Sequence, residues 1–416
     1  MTNRFSALDL QIDINRLLGR LADLAAIGAI EGTEGCARLA LTDEDREGRD
    51  LVVTWMRDLG LDLTIDGIGN VIAVMSGESD EPPVMCGSHI DTVRTGGRYD
   101  GNLGVLAGLE IVETVQAAGI VPKRPLAVGF FTDEEGARFP PDMLGSLVYV
   151  GGMPLEEALD IEGIDGAIVG DELERIGYAG VAPLPGAVPY AFVELHVEQG
   201  PVLEVEDTMV GAVESVQGIS WTEVVVTGQS NHAGTTPMQL RRDPGFVAAA
   251  CTQFARELAL ELGHPQVATV GRVEFQPNLV NVVPASVTFT VDLRNTDELV
   301  LQDAEQRFAD FLDRTAGAEG CSVEIRTLAQ FEPVIFDPEV VDLVESTAIG
   351  LGHSVKRMPS GAGHDAQMMA RICPTAMVFT PSKDGISHNP AEYTAPDELE
   401  AGANVLLHVM LALAEK

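Results

Sequence analysis

The order of helical and strand-like stretches constrains this chain more than any single residue does. Apolar residues at helical spacing predict two opening helices, over 10–24 and 43–59, the second with Thr42 as its N-cap and Gly60 as its terminator. Strand-like runs follow at 61–65, 71–75, 83–87, 126–132 and 191–195, with a helix over 102–118 between the third and fourth. Such alternation predicts an α/β sheet covered on both faces. After about Gly211 the rhythm changes to a half-buried strand at 219–227, a helix at 243–262, strands at 267–275 and 285–293, a helix at 298–315 and a strand at 322–327. That strand-helix-strand-strand-helix-strand order is of the ferredoxin-like α+β type. Beyond about Phe331 the α/β pattern returns, with a helix at 338–351, a strand at 376–379 and a helix at 397–414. The expected architecture is an α/β domain in two pieces, 1–211 and 331–416, around an insert at 212–330. A length of 416 residues agrees, since it exceeds what one hydrophobic core usually supports.

Charge narrows the possible partners. With 64 acidic and 26 basic residues the formal net charge is −38, which argues against nucleic acid or an anionic membrane surface. No apolar run is long enough to span a bilayer or to act as a leader at the start of the sequence, so a cytoplasmic location is expected. Five scattered cysteines, Cys36, Cys86, Cys251, Cys321 and Cys373, show no paired spacing, which argues against a disulfide framework or a cysteine zinc site. The wealth of carboxylates also means that no single Asp or Glu carries an argument alone.

Five segments carry the chemistry in combination. Gly87-Ser88-His89-Ile90-Asp91-Thr92-Val93 lies where a buried strand runs out, and His89 and Asp91, two apart, point the same way on an extended backbone. That suits a metal-bound imidazole oriented by a carboxylate. Asp100, in Gly97-Arg98-Tyr99-Asp100-Gly101, precedes a helix and could be a cap, or a carboxylate bridging two cations. Thr132-Asp133-Glu134-Glu135-Gly136 follows a strand end, where open α/β sheets bind ligands, although three acids there could equally be a solvated loop. His196 ends another strand in Glu194-Leu195-His196-Val197-Glu198-Gln199-Gly200, and His388 lies in the polar loop Ser387-His388-Asn389-Pro390. Histidines and carboxylates together form an N/O ligand set suited to two divalent cations, whether zinc, manganese, cobalt or nickel.

Taken together these segments resemble the aminoacylase-like metallopeptidase superfamily, and the resemblance spans essentially the whole chain. It implies a dinuclear-metal catalytic domain with an inserted lid and dimerisation domain. It assigns His89 and His196 to one metal, Glu135 and His388 to the other, and Asp100 to both. Asp91 would support His89, and Glu134 would act as general base. Where peptidase branches carry an acid, this chain has His196, and with Asn231-His232-Ala233-Gly234-Thr235-Thr236-Pro237-Met238 the pattern resembles the hydantoinase/carbamoylase subfamily. That subfamily comprises N-carbamoyl-L-amino acid hydrolases, β-ureidopropionases and allantoate amidohydrolases. The resemblance gives His232 the role of polarising the scissile carbonyl, usually across a homodimer interface. It places the small ureido carboxylate substrate against Gln199, Asn281, Arg294, Gly363 and His364. One departure is Gly218-Ile219-Ser220-Trp221, where some members have a Gln-Arg pair after the glycine. Ile219 there argues against allantoate, which has a second ureido arm to hold.

Overall fold

A computed structural model describes residues 10–416. Residues 1–9, where the expected first domain begins, lie outside the described residues. The chain divides into two compact units, one comprising the sequence up to Glu214 together with Phe336–Lys416, the other Ser215–Ile335. The sequence pattern set these divisions at 211/212 and 330/331. No helix among the described residues is long and apolar enough to cross a membrane.

The larger unit is built on a sheet whose spatial order is Asp62–Ile65, Val71–Met75, Leu126–Phe131, Val84–His89, Ala191–Val197, Thr375–Thr380 and Val210–Val216. The four strands from Leu126–Phe131 to Thr375–Thr380 pair in parallel, and the other pairings in this order are antiparallel. All four parallel strands are buried along their whole length, which is why they read as continuous apolar runs rather than as alternating ones. Parallel strands put their carboxyl ends along one edge. His89 is the last residue of its strand, His196 the next to last of its own, and Glu134 stands three residues past Phe131.

Local signals set the element ends. Asp13 caps Ile14–Ala25 through bonds from the backbone N–H groups of Asn15 and Arg16, so this helix begins after Leu10 rather than at it. Thr42 caps Asp43–Asp58 as expected. The strand expected over 191–195 runs on to Val197 and therefore includes His196.

The smaller unit is a sheet in the order Val273–Gln276, Ser286–Asn295, Gly218–Thr227, Ser322–Phe331, with Val267–Thr269 also paired to Ser286–Asn295. That is the ferredoxin-like order, with the helices Pro244–Leu262 and Glu298–Glu319 burying one face. Their core contains Val224, Val226, Phe289, Val291, Leu293, Cys251 and Phe308. The single strand expected over 267–275 is two strands. Thr269 pairs with Asp292 and Val273 with Phe289, so Val270, Gly271 and Arg272 stand opposite only Thr290 and Val291. The extra residue breaks the ladder as a bulge does.

Candidate active site

At the carboxyl edge of the parallel strands the structure brings two ligand groups together around one carboxylate. His89, Asp100 and His196 form the first, and Asp100, Glu135 and His388 the second. Asp100 Oδ1 lies 3.1 Å from His196 Nε2 and 3.6 Å from His89 Nε2. Its Oδ2 lies 3.3 Å from His388 Nε2, which is 3.2 Å from Glu135 Oε2. Glu134 Oε2 stands 3.4 Å from His89 Nε2. His89, Asp100, Glu134 and His196 are buried, whereas His388 is about half exposed.

Second bonds orient the imidazoles. His89 Nδ1 is 2.9 Å from the Asp91 carbonyl, and His196 Nδ1 is 2.8 Å from the Val197 carbonyl. A carbonyl can only accept, so each Nδ1 carries a proton, and in the neutral ring each Nε2 then presents a lone pair to the carboxylates. The Gly101 N–H donates to His196 Nε2, which fits that tautomer. Bare nitrogens facing carboxylate oxygens at these distances repel unless something positive lies between them. The donor set therefore fits divalent cations, with histidine nitrogen and carboxylate oxygen as ligands. The support that Asp91 gives His89 runs through its carbonyl. Its carboxylate, 3.9 Å from His89 Nδ1, accepts instead from the backbone N–H groups of Glu134 and Glu135, and so fixes the loop that carries them.

The electrostatics also favour positive charge here. Burial pushes the Glu134 carboxyl well above the usual carboxylate range, and Asp365, Glu135 and Asp100 add to that push against the opposing pull of His89. Hydrogen bonds to Asp100 and Glu135 raise His388 to about 10. Burial works against the charged form of Asp100, but positive charge among the His196, His388 and His89 rings around it outweighs burial and holds this carboxyl well below its ordinary value. Backbone strain collects in the same place, since Asp133, Gln199 and His388 all have positive φ without being glycine. At Gly101 a Cβ would lie 2.4 Å from the His89 ring, so only glycine lets the helix after Asp100 start so close to the imidazole.

Around this centre, Gln199 Nε2 donates to Asp100 Oδ2 at 2.9 Å. His364 is buried, with Nε2 2.8 Å from Ser360 Oγ and its ring 4.6 Å from that of His196. A Cβ on Gly363 would come within 3.0 Å of Met143 Cε, and the Met143 N–H donates to the Glu134 carbonyl. The remaining predicted residues belong to the smaller unit. His232 is exposed, and its Nδ1 accepts from the N–H groups of Gly234 and Thr235, which leaves the proton on Nε2 as an outward donor. Asn281 is exposed, and its carbonyl accepts from the Ala233 N–H. Arg294 is cross-strand from Ile219, and Asp292 from Trp221, so all four share the sheet face away from the helices. The Arg294 guanidinium forks onto the Asp292 carboxylate and sits 5.7 Å from the Trp221 ring.

Residue patterns assigned no role to several supporting groups. Fully buried Arg38 donates to the carbonyls of Leu24, Ile27 and Ile90 and to Asn102 Oδ1, tying the first helix to the His89 loop. Glu194 accepts from Ser88 Oγ at 2.6 Å and from the Ala366 N–H at 2.8 Å. Glu392 accepts from the N–H groups of Tyr99 and Asp100. The only available signal for Glu392 was its nearness to His388 in sequence.

Comparison with known proteins gives the family. Residues 85–412 match Peptidase family M20/M25/M40. This chain belongs to that family. It is 40% identical over 407 residues to an N-carbamoyl-L-amino-acid amidohydrolase of Rhizobium meliloti, covering 97% of each chain. It is 36% identical over 394 residues to an allantoate amidohydrolase of Escherichia coli, covering 94% of this chain and 96% of that one. A crystal structure of a hydantoinase/carbamoylase family amidase from Burkholderia multivorans superposes with a TM-score of 0.95 at 43% identity, covering 98% of this chain and 99% of that one. The chain is thus an M20-family hydrolase of amide C–N bonds. Its family is generally dinuclear and metal-dependent, and the two groups around Asp100 are its candidate ligands.

Proposed function

We propose that this M20-family hydrolase removes the N-carbamoyl group from N-carbamoyl-L-amino acids or N-carbamoyl-β-alanine, giving the free amino acid, ammonia and carbon dioxide. The observation that carries the reading is the carboxylate of Asp100 shared between two ligand groups with Glu134 beside them. The names of relatives at 36–40% identity support the ureido substrate.

A ureido carbonyl is a poor electrophile because both nitrogens donate into it. Two divalent cations held by His89, His196, Asp100, Glu135 and His388 would supply Lewis-acid polarisation and a water of lowered pKa. Glu134 is placed to take a proton from an attacking water and to pass it to the departing amine nitrogen. His232, its proton on Nε2, donates to the oxygen that gains negative charge. The C–N bond on the amino-acid side breaks, and the carbamate released decomposes to carbon dioxide and ammonia. Arg294 holds the substrate carboxylate through its planar fork, which in the free protein is taken up by Asp292. Asn281, Gln199, Gly363 and His364 are the further substrate-binding residues of this reading. The reading includes a homodimer, in which His232 serves the site of the partner subunit.

Ile219, buried and directly opposite Arg294, favours this reading over allantoate, because an apolar side chain offers a second ureido arm no hydrogen bond. The test is ammonia release from N-carbamoyl-L-amino acids, N-carbamoyl-β-alanine, allantoate and N-acetyl-amino acids, each with and without a chelator. Turnover of the carbamoyl compounds that chelation abolishes is expected. Faster turnover of allantoate or of the acetyl compounds overturns the substrate assignment. Wild type should also prefer a free carboxylate over its amide, and Arg294→Ala should lose most of that preference. A variant that keeps it removes Arg294 as the anchor.

A further inference from the structure

Asp100 reaches both ligand groups only if its backbone and the loop carrying His388 are held in fixed relation. They come from parts of the chain nearly three hundred residues apart, and both face Glu392. This side chain is 4% exposed. Its Oε1 accepts from the Tyr99 N–H at 3.0 Å and from the Asp100 N–H at 3.1 Å. Its Oε2 accepts from Ser387 Oγ at 3.1 Å, and the same hydroxyl lies 3.2 Å from Asp100 Oδ2. Glu392 is itself fixed to its loop, since its N–H donates to the Asn389 carbonyl at 2.9 Å.

Glycine makes this approach possible. A Cβ on Gly97 would fall 2.1 Å from Glu392 Oε1, so the chain before Asp100 passes too close to the carboxylate for any side chain. A buried carboxylate that spends its lone pairs on the backbone of one ligand and on the neighbour of another acts on ligand geometry rather than on solvent.

We propose that Glu392 is a positioning residue for the candidate metal centre, fixing Asp100 through its backbone and His388 through Ser387, and so setting the spacing of the two ligand groups. The proposal rests on the two-metal reading above. Glu392 ligates nothing and touches no substrate. Its loss loosens the Asp100, Glu135, His388 group most, because both Asp100 and the His388 loop are released. The His89 and His196 rings keep their own carbonyl partners.

The test is titration of chelator-treated full-length protein with Co2+, followed by visible absorbance and calorimetry, in wild type, Glu392→Leu, Glu392→Gln and Ser387→Ala. Wild type is expected to take up two equivalents. Glu392→Leu should bind the first with little change and the second at least ~10-fold more weakly, the range seen when groups supporting metal ligands are removed. Glu392→Gln should recover most of the second affinity, because its amide oxygen can still accept from both N–H groups. Ser387→Ala should weaken the second equivalent alone, and it remains decisive if the leucine variant fails to fold. A purely structural role would lower Tm and leave both affinities of the folded protein unchanged, and that result overturns the proposal. Wild type binding fewer than two equivalents overturns the two-metal reading, and the positioning role with it.

Discussion

Adjacent glutamates at the end of one strand have different partners because of where their side chains go. Glu134 is buried against His89, while Glu135 reaches His388 at 3.2 Å. Substituting the first with its amide should leave the ligand groups intact and remove the proton acceptor. Glu134→Gln is therefore expected to retain metal while losing ~10²-fold or more in kcat, the usual worth of a positioned acid–base group. Glu135→Gln should lose metal first, with activity returning in part at excess cation. Metal content by elemental analysis beside kcat checks both, and the opposite pattern would exchange the two roles. Tautomers matter at this scale too. The bonds of His89 and His196 to carbonyls and of His232 from two N–H groups give Nε2 opposite roles, acceptor in the first two and donor in the third.

At the scale of elements, the last helix, Pro396–Ala414, carries a titration unconnected with the metal centre. His408 is buried there and its Nε2–H donates to the Leu10 carbonyl at 2.9 Å. Burial lowers its pKa, with the bond to Leu10 acting the other way. The folded imidazole thus resists protonation more than the unfolded one. Above about pH 6.5, the ordinary histidine value, neither state carries the proton and nothing is at stake. As pH falls through that value the unfolded chain gains a proton that the folded chain refuses, so stability falls until the folded pKa is passed. Urea midpoints measured at pH 7.5 and 5.5 should drop for wild type by more than for His408→Gln, which keeps a donor and does not titrate. Equal drops would remove His408 as a source of acid sensitivity. Bulges also act at this scale. The extra residue among Val270, Gly271 and Arg272 divides one predicted strand into two, because periodicity alone cannot show that a partner strand is one residue short.

For the whole molecule, assembly is the matter that a single chain leaves to experiment. His232 is exposed with its Nε2–H directed outward, and in the proposed homodimer it completes the partner's site. Specific activity should then fall on dilution in step with the dimer fraction measured by sedimentation. A mixture of Glu134→Gln and His232→Ala chains, each inactive alone, should recover activity in hybrid dimers. A fully active monomer, or no recovery on mixing, would refute the contribution of His232 in trans.

Sequence by itself determined the α/β class, the ferredoxin-like insert, the helix starts at Thr42 and Asp243, and the segments around His89, Asp100, Glu134, His196 and His388. It could do so because buried parallel strands, capped helices and strand-end ligands each leave a local pattern in residue type. Tertiary structure alone decided that Asp91 holds His89 by its carbonyl, that Asp292 occupies Arg294, and that Arg38, Glu194 and Glu392 support the centre. The first two choices turn on side-chain orientation, which residue type does not show, and the supports from Arg38, Glu194 and Glu392 depend on groups that meet across tens to hundreds of residues. In a chain with 64 acids a Glu, even beside a motif, looks like every other charge until its partners are known.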